Sequence, residues 1–309
     1  MRAVLFDQFG PPEVLHVGET AEPHAGPREV RIRVEAAGVS PVDVGVRAGS
    51  PMARARVVFP HVPGVDAAGV VDEVGSEVRE VEVGDHVFGS VDVARLGGAT
   101  AQLAVLQMWA IKPASLSWVE AGSAGTSVET ATRVLDVLAV EPGATLLVDG
   151  AAGGVGSVLV QLAVARGATV IGSCRPENAE FVRGLGAVPV TYGRELGERV
   201  RELGVSVDAA VDVAGAGSVA DMMALTQSPD RVVTIADFGA AALGVRLSMG
   251  RLAGEPDGHH GLAVAAALST QGRFHVPIYR VFPVSAAAAA HTAAVASPRH
   301  GKIAITTQW

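Results

Sequence analysis

The chain of 309 residues is 49% hydrophobic and 18% charged, and its formal net charge is −8. That length holds about two domains and a sizeable core, while the acidic balance, with no basic stripe to offset it, argues against a nucleic-acid partner. No run of ~18 uninterrupted apolar residues is available to span a membrane, and a single cysteine, Cys174, excludes an internal disulfide and a cysteine-rich zinc site.

Along the chain, the apolar run of residues 1–6 is cut at Asp7, far short of a signal peptide, so a cytoplasmic protein is expected. Short runs rich in valine, glycine and proline follow at residues 3–6, 29–34, 69–74, 86–88 and 101–106. Gly10-Pro-Pro12, Gly26-Pro27 and Val83-Gly-Asp85 separate them, which predicts a mostly antiparallel β domain. Residues 119–138 read as one helix. Strand-like and helical segments then alternate: 145–148, 155–166, 169–172, 178–185, 188–192, 196–203, 209–212, 219–225 and 231–235. Such βαβα alternation implies a parallel, doubly wound sheet, so the fold class is α/β. Beyond residue 250 the alternation lapses into a helix at 261–270, a strand at 276–281, an alanine-rich helix at 285–296 with Ser285 as its N-cap, and a last strand at 302–306. Lys112 and Lys302 are the only lysines, a bias that by itself points to no function.

The most informative stretch is Thr145-Leu-Leu-Val-Asp-Gly150-Ala-Ala-Gly153-Gly154-Val-Gly156, a strand, a glycine turn and the start of a helix. Glycines in such a turn let the backbone approach a pyrophosphate, and the helix N-terminus stabilises its charge. Gly150, Ala151, Ala152, Gly153, Gly154, Val155 and Gly156 are therefore candidate dinucleotide contacts.

In NAD-specific sites an acidic residue about 20 positions past the turn meets the ribose. Here Ser173 and Arg175 occupy that corner, and a guanidinium suits a 2′-phosphate, so NADPH is the expected cofactor. Glu177 is the counter-argument, but it lies past a proline and reads as a first-turn helix acid. By topology, Asp212-Val-Ala-Gly215 and Ile235-Ala-Asp-Phe238 follow strands whose C-terminal ends face the ligand. They add Val213, Ala214, Ala236 and Phe238 as candidates for nicotinamide contacts.

Three further motifs accompany the turn in fixed order: Val34-Glu-Ala-Ala-Gly-Val-Ser-Pro-Val-Asp43, Pro63-Gly-Val-Asp-Ala-Ala-Gly-Val-Val-Asp-Glu-Val-Gly75 and Val83-Gly-Asp-His-Val-Phe-Gly89. Arg231-Val-Val-Thr-Ile235 and Gly301-Lys-Ile303 close the pattern. Together they resemble the zinc-independent quinone oxidoreductase branch of the medium-chain dehydrogenase/reductase superfamily. The resemblance implies a GroES-like catalytic domain at 1–117, a Rossmann NADPH-binding domain at 118–250 and a C-terminal segment at 251–309 returning to the first domain. It also implies a homodimer, with residues 239–247 contributing to the interface. It adds Thr126 and Tyr192 as cofactor contacts, although a core role for Tyr192 fits its place at a strand end equally well.

Zinc-dependent members place a cysteine where this chain has Ser40, and Gly-His-Glu where it has Gly64-Val65-Asp66. Serine and valine cannot replace those ligands, so no metal is expected, and His61 reads as structural. Without a metal, hydride transfer to a conjugated acceptor is the easier chemistry, because the charge delocalises onto an oxygen that hydrogen-bond donors can stabilise. A quinone or another α,β-unsaturated carbonyl is the implied substrate. An enoyl reductase acting on polyketide-like intermediates and a non-catalytic NADPH-binding protein are the alternatives. Ser40 and Asp43 lie where the family carries residues beside the nicotinamide. Either they act there, Ser40 by a hydrogen bond and Asp43 by positioning the loop, or they only shape the turn around Pro41.

Overall fold

Alternation in Val30-Arg-Ile-Arg-Val34 buries Val30, Ile32 and Val34 on one face and leaves the arginines on the other. This segment opens the longest strand in a computed structural model that describes residues 1–296 and 300–309.

The first part of the chain forms β1 (Arg2–Leu5), β2 (His16–Glu19), β3 (Val30–Val39), α1 (Pro41–Ala48), α2 (Pro51–Arg56), β4 (Asp66–Val74), β5 (His86–Ser90), β6 (Leu103–Leu106), β7 (Met108–Ile111), α3 (Trp118–Ala121) and α4 (Gly125–Val137). The middle forms β8 (Thr145–Asp149), α5 (Gly154–Ala165), β9 (Thr169–Cys174), α6 (Ala179–Gly184), β10 (Val188–Thr191), α7 (Leu196–Arg201), β11 (Ala209–Asp212), α8 (Val219–Thr226), β12 (Val232–Thr234) and β13 (Arg246–Leu247). The last part forms α9 (Gly261–Thr270), β14 (Ile278–Pro283), α10 (Ala287–Ala293) and β15 (Lys302–Thr306).

The chain divides into one unit of Met1–Thr126 with Leu262–Trp309 and a second of Ser127–Gly261. In the first, a seven-stranded sheet runs β14-β15-β3-β4-β5-β7, with β6 also pairing to β3. All its pairs are antiparallel except β14 with β15. The C-terminal strand is thus an inner member of the N-terminal sheet, paired Ile303 to Val39 and Thr306 to Ala36. Its buried Ile303 and Ile305 join Phe6, Val39, Val46 and Leu96 in one core cluster.

The second unit is a six-stranded, all-parallel sheet in the order β10-β9-β8-β11-β12-β13. Strand order reverses between β8 and β11, and the carboxyl ends flanking such a switch point are where open α/β sheets bind ligands. Gly150 follows one of these strands and Val213 the other.

Two sequence expectations shift, and some elements were not expected at all. The helix expected at 119–138 is two helices. The first turn is closed by the Ser117/Glu120 capping box, and the second starts where Asp66 accepts the Thr126 N–H. Ser285 is not an N-cap, because the chain first makes a 3-10 turn over Val284–Ala286 and α10 begins at Ala287 with no side-chain cap. Strands β2, β7 and β13 and helices α1 and α2 were not legible. Exposure of both faces of β2 removes the alternation that marks a half-buried strand.

Candidate functional sites in the two units

In the second unit, β8 ends at the buried Asp149 and the chain turns through Gly150, whose φ of +88° is left-handed. A Cβ at Gly150 would stand 3.1 Å from both the Val213 and Ala214 side chains, and one at Gly156 would collide with the Gly150 carbonyl oxygen. These two positions must lack side chains for strand, turn and helix to close. Helix α5 starts at Gly154 with Gly153 as N-cap and no side-chain cap, so the first-turn N–H groups are left for a ligand. Ala151 and Ala152 are buried beneath the turn, whereas Gly153, Gly154 and Val155 are half-buried at its rim. The cradle fits a dinucleotide pyrophosphate.

The turn is braced from below. Asp149 accepts the Ser173 and Ser218 hydroxyls, and the Gly150 N–H donates to Ser173 Oγ at 3.0 Å. Burial pushes the Asp149 carboxyl above its usual range, against the lowering effect of those hydroxyls. Ser173 therefore does not present its hydroxyl to a 2′-phosphate as expected; it is fully buried and shapes the turn. Arg175 holds the corner instead, half-buried at the end of β9 with its guanidinium over the Tyr192 ring.

Beyond β11, the Ala214 and Gly215 N–H groups donate to Asp212 at 2.9 and 2.8 Å. Beyond β12, the Ala236 N–H donates to Thr234 Oγ1 at 3.0 Å, and Phe238 is 71% exposed. Val213 and Ala236 are half-buried at the same carboxyl end of the sheet, and Ala214 is exposed there. Cys174 is buried at the strand end, and burial raises its thiol pKa.

In the first unit, strand pairing gathers a buried polar cluster. The register Ile303 to Val39 brings Lys302 beside Ser40, and Ala37 to Ala67 brings Asp66 close to the same strand end. Lys302 Nζ donates to Ser40 Oγ at 2.7 Å and lies 3.3 Å from Asp66 Oδ2. Asp66 also accepts the Thr126 N–H at 2.6 Å and the Thr126 hydroxyl at 2.8 Å. Both donors of Thr126 are thus committed to Asp66.

Asp43 accepts the Ser40 N–H at 2.7 Å across the first turn of α1, which is the loop-shaping role open to it. Burial pushes its carboxyl up to about 7, against that hydrogen bond. His61 is structural. Its ring meets the Leu96 carbonyl at 3.1 Å and packs edge-on to Phe6, and burial lowers its pKa. Among the described residues, no group of three or more histidine, cysteine, aspartate or glutamate side chains is placed to hold a metal.

The sequence brought out Ser40, Asp43 and Thr126 but passed over Asp66 and Lys302, which tie the first and third together. A signal was present: each is a charge that opens an apolar run, Asp66-Ala-Ala-Gly-Val-Val71 and Lys302-Ile-Ala-Ile305.

Comparison with known proteins agrees with this geometry. Residues 26–132 match the alcohol dehydrogenase GroES-like domain, and residues 185–305 match the zinc-binding dehydrogenase model. The chain is 30% identical to human quinone oxidoreductase over 262 residues, 81% of this chain and 78% of that protein. It is 32% identical over 226 residues to a chloroplastic NADPH-dependent alkenal/one oxidoreductase of Arabidopsis thaliana, covering 70% of this chain and 58% of that one. Several other curated relatives are also matched over little more than half their length, 55–58%. The solved quinone oxidoreductase of Coxiella burnetii superposes with a TM-score of 0.81 at 28% identity, covering 100% of this chain and 99% of that one. No helix among the described residues is long and apolar enough to cross a membrane. On the order of its motifs, its two folded units and these matches, the chain belongs to the zinc-independent quinone oxidoreductase branch of the medium-chain dehydrogenase/reductase superfamily.

Proposed function

We propose that the protein is an NADPH-dependent oxidoreductase that reduces a quinone or another α,β-unsaturated carbonyl. The observation that carries the reading is the donor set around Ser40. A hydroxyl held by an ammonium can meet an oxyanion, and no thiol or imidazole is among the cluster's side chains. The curated relatives named for quinone and alkenal/one reduction support the same substrate class.

NADPH would be held by the turn from Gly150 to Gly156, with Arg175 and Tyr192 at its adenosine end and Val213, Ala214, Ala236 and Phe238 along the carboxyl edge. Bound there, it supplies the hydride. Ser40 binds and orients the acceptor's oxygen, and Asp43 fixes the loop that carries Ser40. Thr126 acts by holding Asp66 rather than by direct contact. The active form is a homodimer, a reading supported by the short edge strand β13 and the exposed Leu243 that precedes it.

The test is NADPH oxidation with a panel of quinones, enones and simple secondary alcohols. Stereospecifically deuterated NADPH should place deuterium on the β-carbon of an enone. Steady alcohol oxidation with no reduction of any quinone or enone would refute the reading.

A further inference from the structure

Lysine carries three N–H donors and no acceptor, so a buried lysine dictates the direction of every hydrogen bond around it. Lys302 is buried, with its side chain 5% exposed, and it faces Ser40, Asp66 and, electrostatically, Asp43. Because Nζ donates to Ser40 Oγ at 2.7 Å, the serine oxygen is an acceptor on that side and its one O–H must point elsewhere. The nearest alternative, Asp66 Oδ2, lies 3.5 Å away, at the limit of a hydrogen bond. That oxygen already accepts the Thr126 hydroxyl at 2.8 Å and faces Lys302 at 3.3 Å. The Ser40 O–H is therefore only weakly held within the cluster. Ser40 itself is 6% exposed, so its oxygen is nearly but not wholly enclosed.

We infer that Lys302 is a positioning residue that turns the Ser40 hydroxyl into a polarised donor, and the source of the proton that follows the hydride onto the substrate. The inference rests on the function proposed above. Hydride addition at the electrophilic carbon leaves the electron pair of the conjugated system on the carbonyl oxygen. Ser40 gives its proton to that oxygen as the Ser40 O–H bond breaks and a substrate O–H bond forms. A proton from the Lys302 ammonium re-forms the Ser40 hydroxyl. Neutral Lys302 regains its proton from solvent after product leaves. The balance is one hydride and one proton per turnover, with Asp66 holding the ammonium in place and Thr126 holding Asp66.

A purely structural ion pair would tie β15 to β4 and leave the chemistry untouched. The two roles separate in a double-mutant cycle on the full chain, with NADPH, 1,4-naphthoquinone and 2-cyclohexen-1-one as probes. Lys302→Met should lower kcat about 10- to 100-fold and leave KM within about 2-fold, since one charge-assisted bond is lost in the transition state. Lys302→Arg, which keeps the charge and the donors but cannot release a proton, should stay at least about 5-fold below the wild type. In a Ser40→Ala background, Lys302→Met should cost less than 2-fold more, because its effect passes through the hydroxyl.

Lys302→Met leaves Asp66 buried without its cation, so it is paired with Lys302→Met/Asp66→Asn, which removes both charges. If Lys302→Met does not fold, the cycle is run in that neutral background, where Ser40→Ala should cost less than 2-fold. Unaltered kcat in Lys302→Met, an undiminished cost of Ser40→Ala in the neutral background, or an arginine variant as fast as the wild type would each overturn the assignment of Lys302. A wild-type protein that consumes NADPH with neither probe would overturn the proposed function and this inference together. An active wild type with Lys302→Met unimpaired would overturn the inference alone.

Discussion

Arg175 lays its guanidinium over the Tyr192 ring, 5.3 Å from the ring centroid. The two residues follow adjacent parallel strands, and the Tyr192 N–H donates to the Cys174 carbonyl at 3.0 Å, so the sheet itself fixes the pair. A stacked guanidinium keeps donors free at its edge, which suits a phosphate oxygen.

Arg175→Ala is expected to weaken NADPH binding by about tenfold or more, the loss of a charge-assisted bond of roughly 1.5–3 kcal/mol. NADH binding should change less than about twofold. Titration of cofactor fluorescence measures both, and equal affinities for NADPH and NADH in the wild type would sink the assignment of this corner.

Gly156→Ala adds a methyl group that collides with the Gly150 carbonyl oxygen and crowds the Ala151 Cα at 2.9 Å. Because the obstruction is backbone, the turn must open to relieve it. The variant should lose about 1–3 kcal/mol of stability and most of its dinucleotide affinity. Thermal unfolding and cofactor titration should move together, and unchanged affinity would show that the turn is not the pyrophosphate cradle.

Asp43 and His291 titrate in opposition. Burial, with Asp66 adding, pushes Asp43 up to about 7, while burial, with Arg47 adding, pulls His291 down to about 4. For Asp43 the folded pKa lies above the unfolded 3.8, so its stabilising contribution is full below about 4 and is lost as pH rises to about 7. For His291 the folded pKa lies below the unfolded 6.5, so its contribution is present above that value and is lost as pH falls to about 4. Each slope is about 1.4 kcal/mol per pH unit, and the two offset each other in the wild type. Asp43→Asn should unmask the histidine, so that stability rises with pH between about 4.5 and 6.5. Urea unfolding across that range checks the sign, and a variant slope equal to the wild type's would contradict it.

The proposed dimer gives the last prediction. Strand β13 is two residues long and ends the parallel sheet, an edge that a second copy can cover across a two-fold axis. Light scattering should give about twice the 31.4 kDa chain mass at micromolar concentration. Leu247→Pro, which removes an edge N–H, should shift the mass toward the monomer. A wild-type mass of one chain would reject the dimer.

The amino-acid sequence by itself determined the local elements whose physics is contiguous. The glycine turn between β8 and α5, the alternation of β9 to β12 with their helices, and the helix at 261–270 were all legible, because a turn, a period and a cap each involve neighbours along the chain. Ser40 and Asp43 were legible only through the family resemblance, and that they pair three residues apart across the start of α1 came from the structure. Only the tertiary structure decided what a residue's polar atoms face. Ser173 reads as a phosphate donor in the strand that carries it, yet the fold aims its hydroxyl at Asp149 and the Gly150 N–H, 24 and 23 positions away. Asp66 and Lys302 are 236 residues apart, and no periodicity links them. Their pairing exists because β15 enters the N-terminal sheet against β3, a choice set by burial of Ile303 and Ile305 in a core assembled from both ends of the chain.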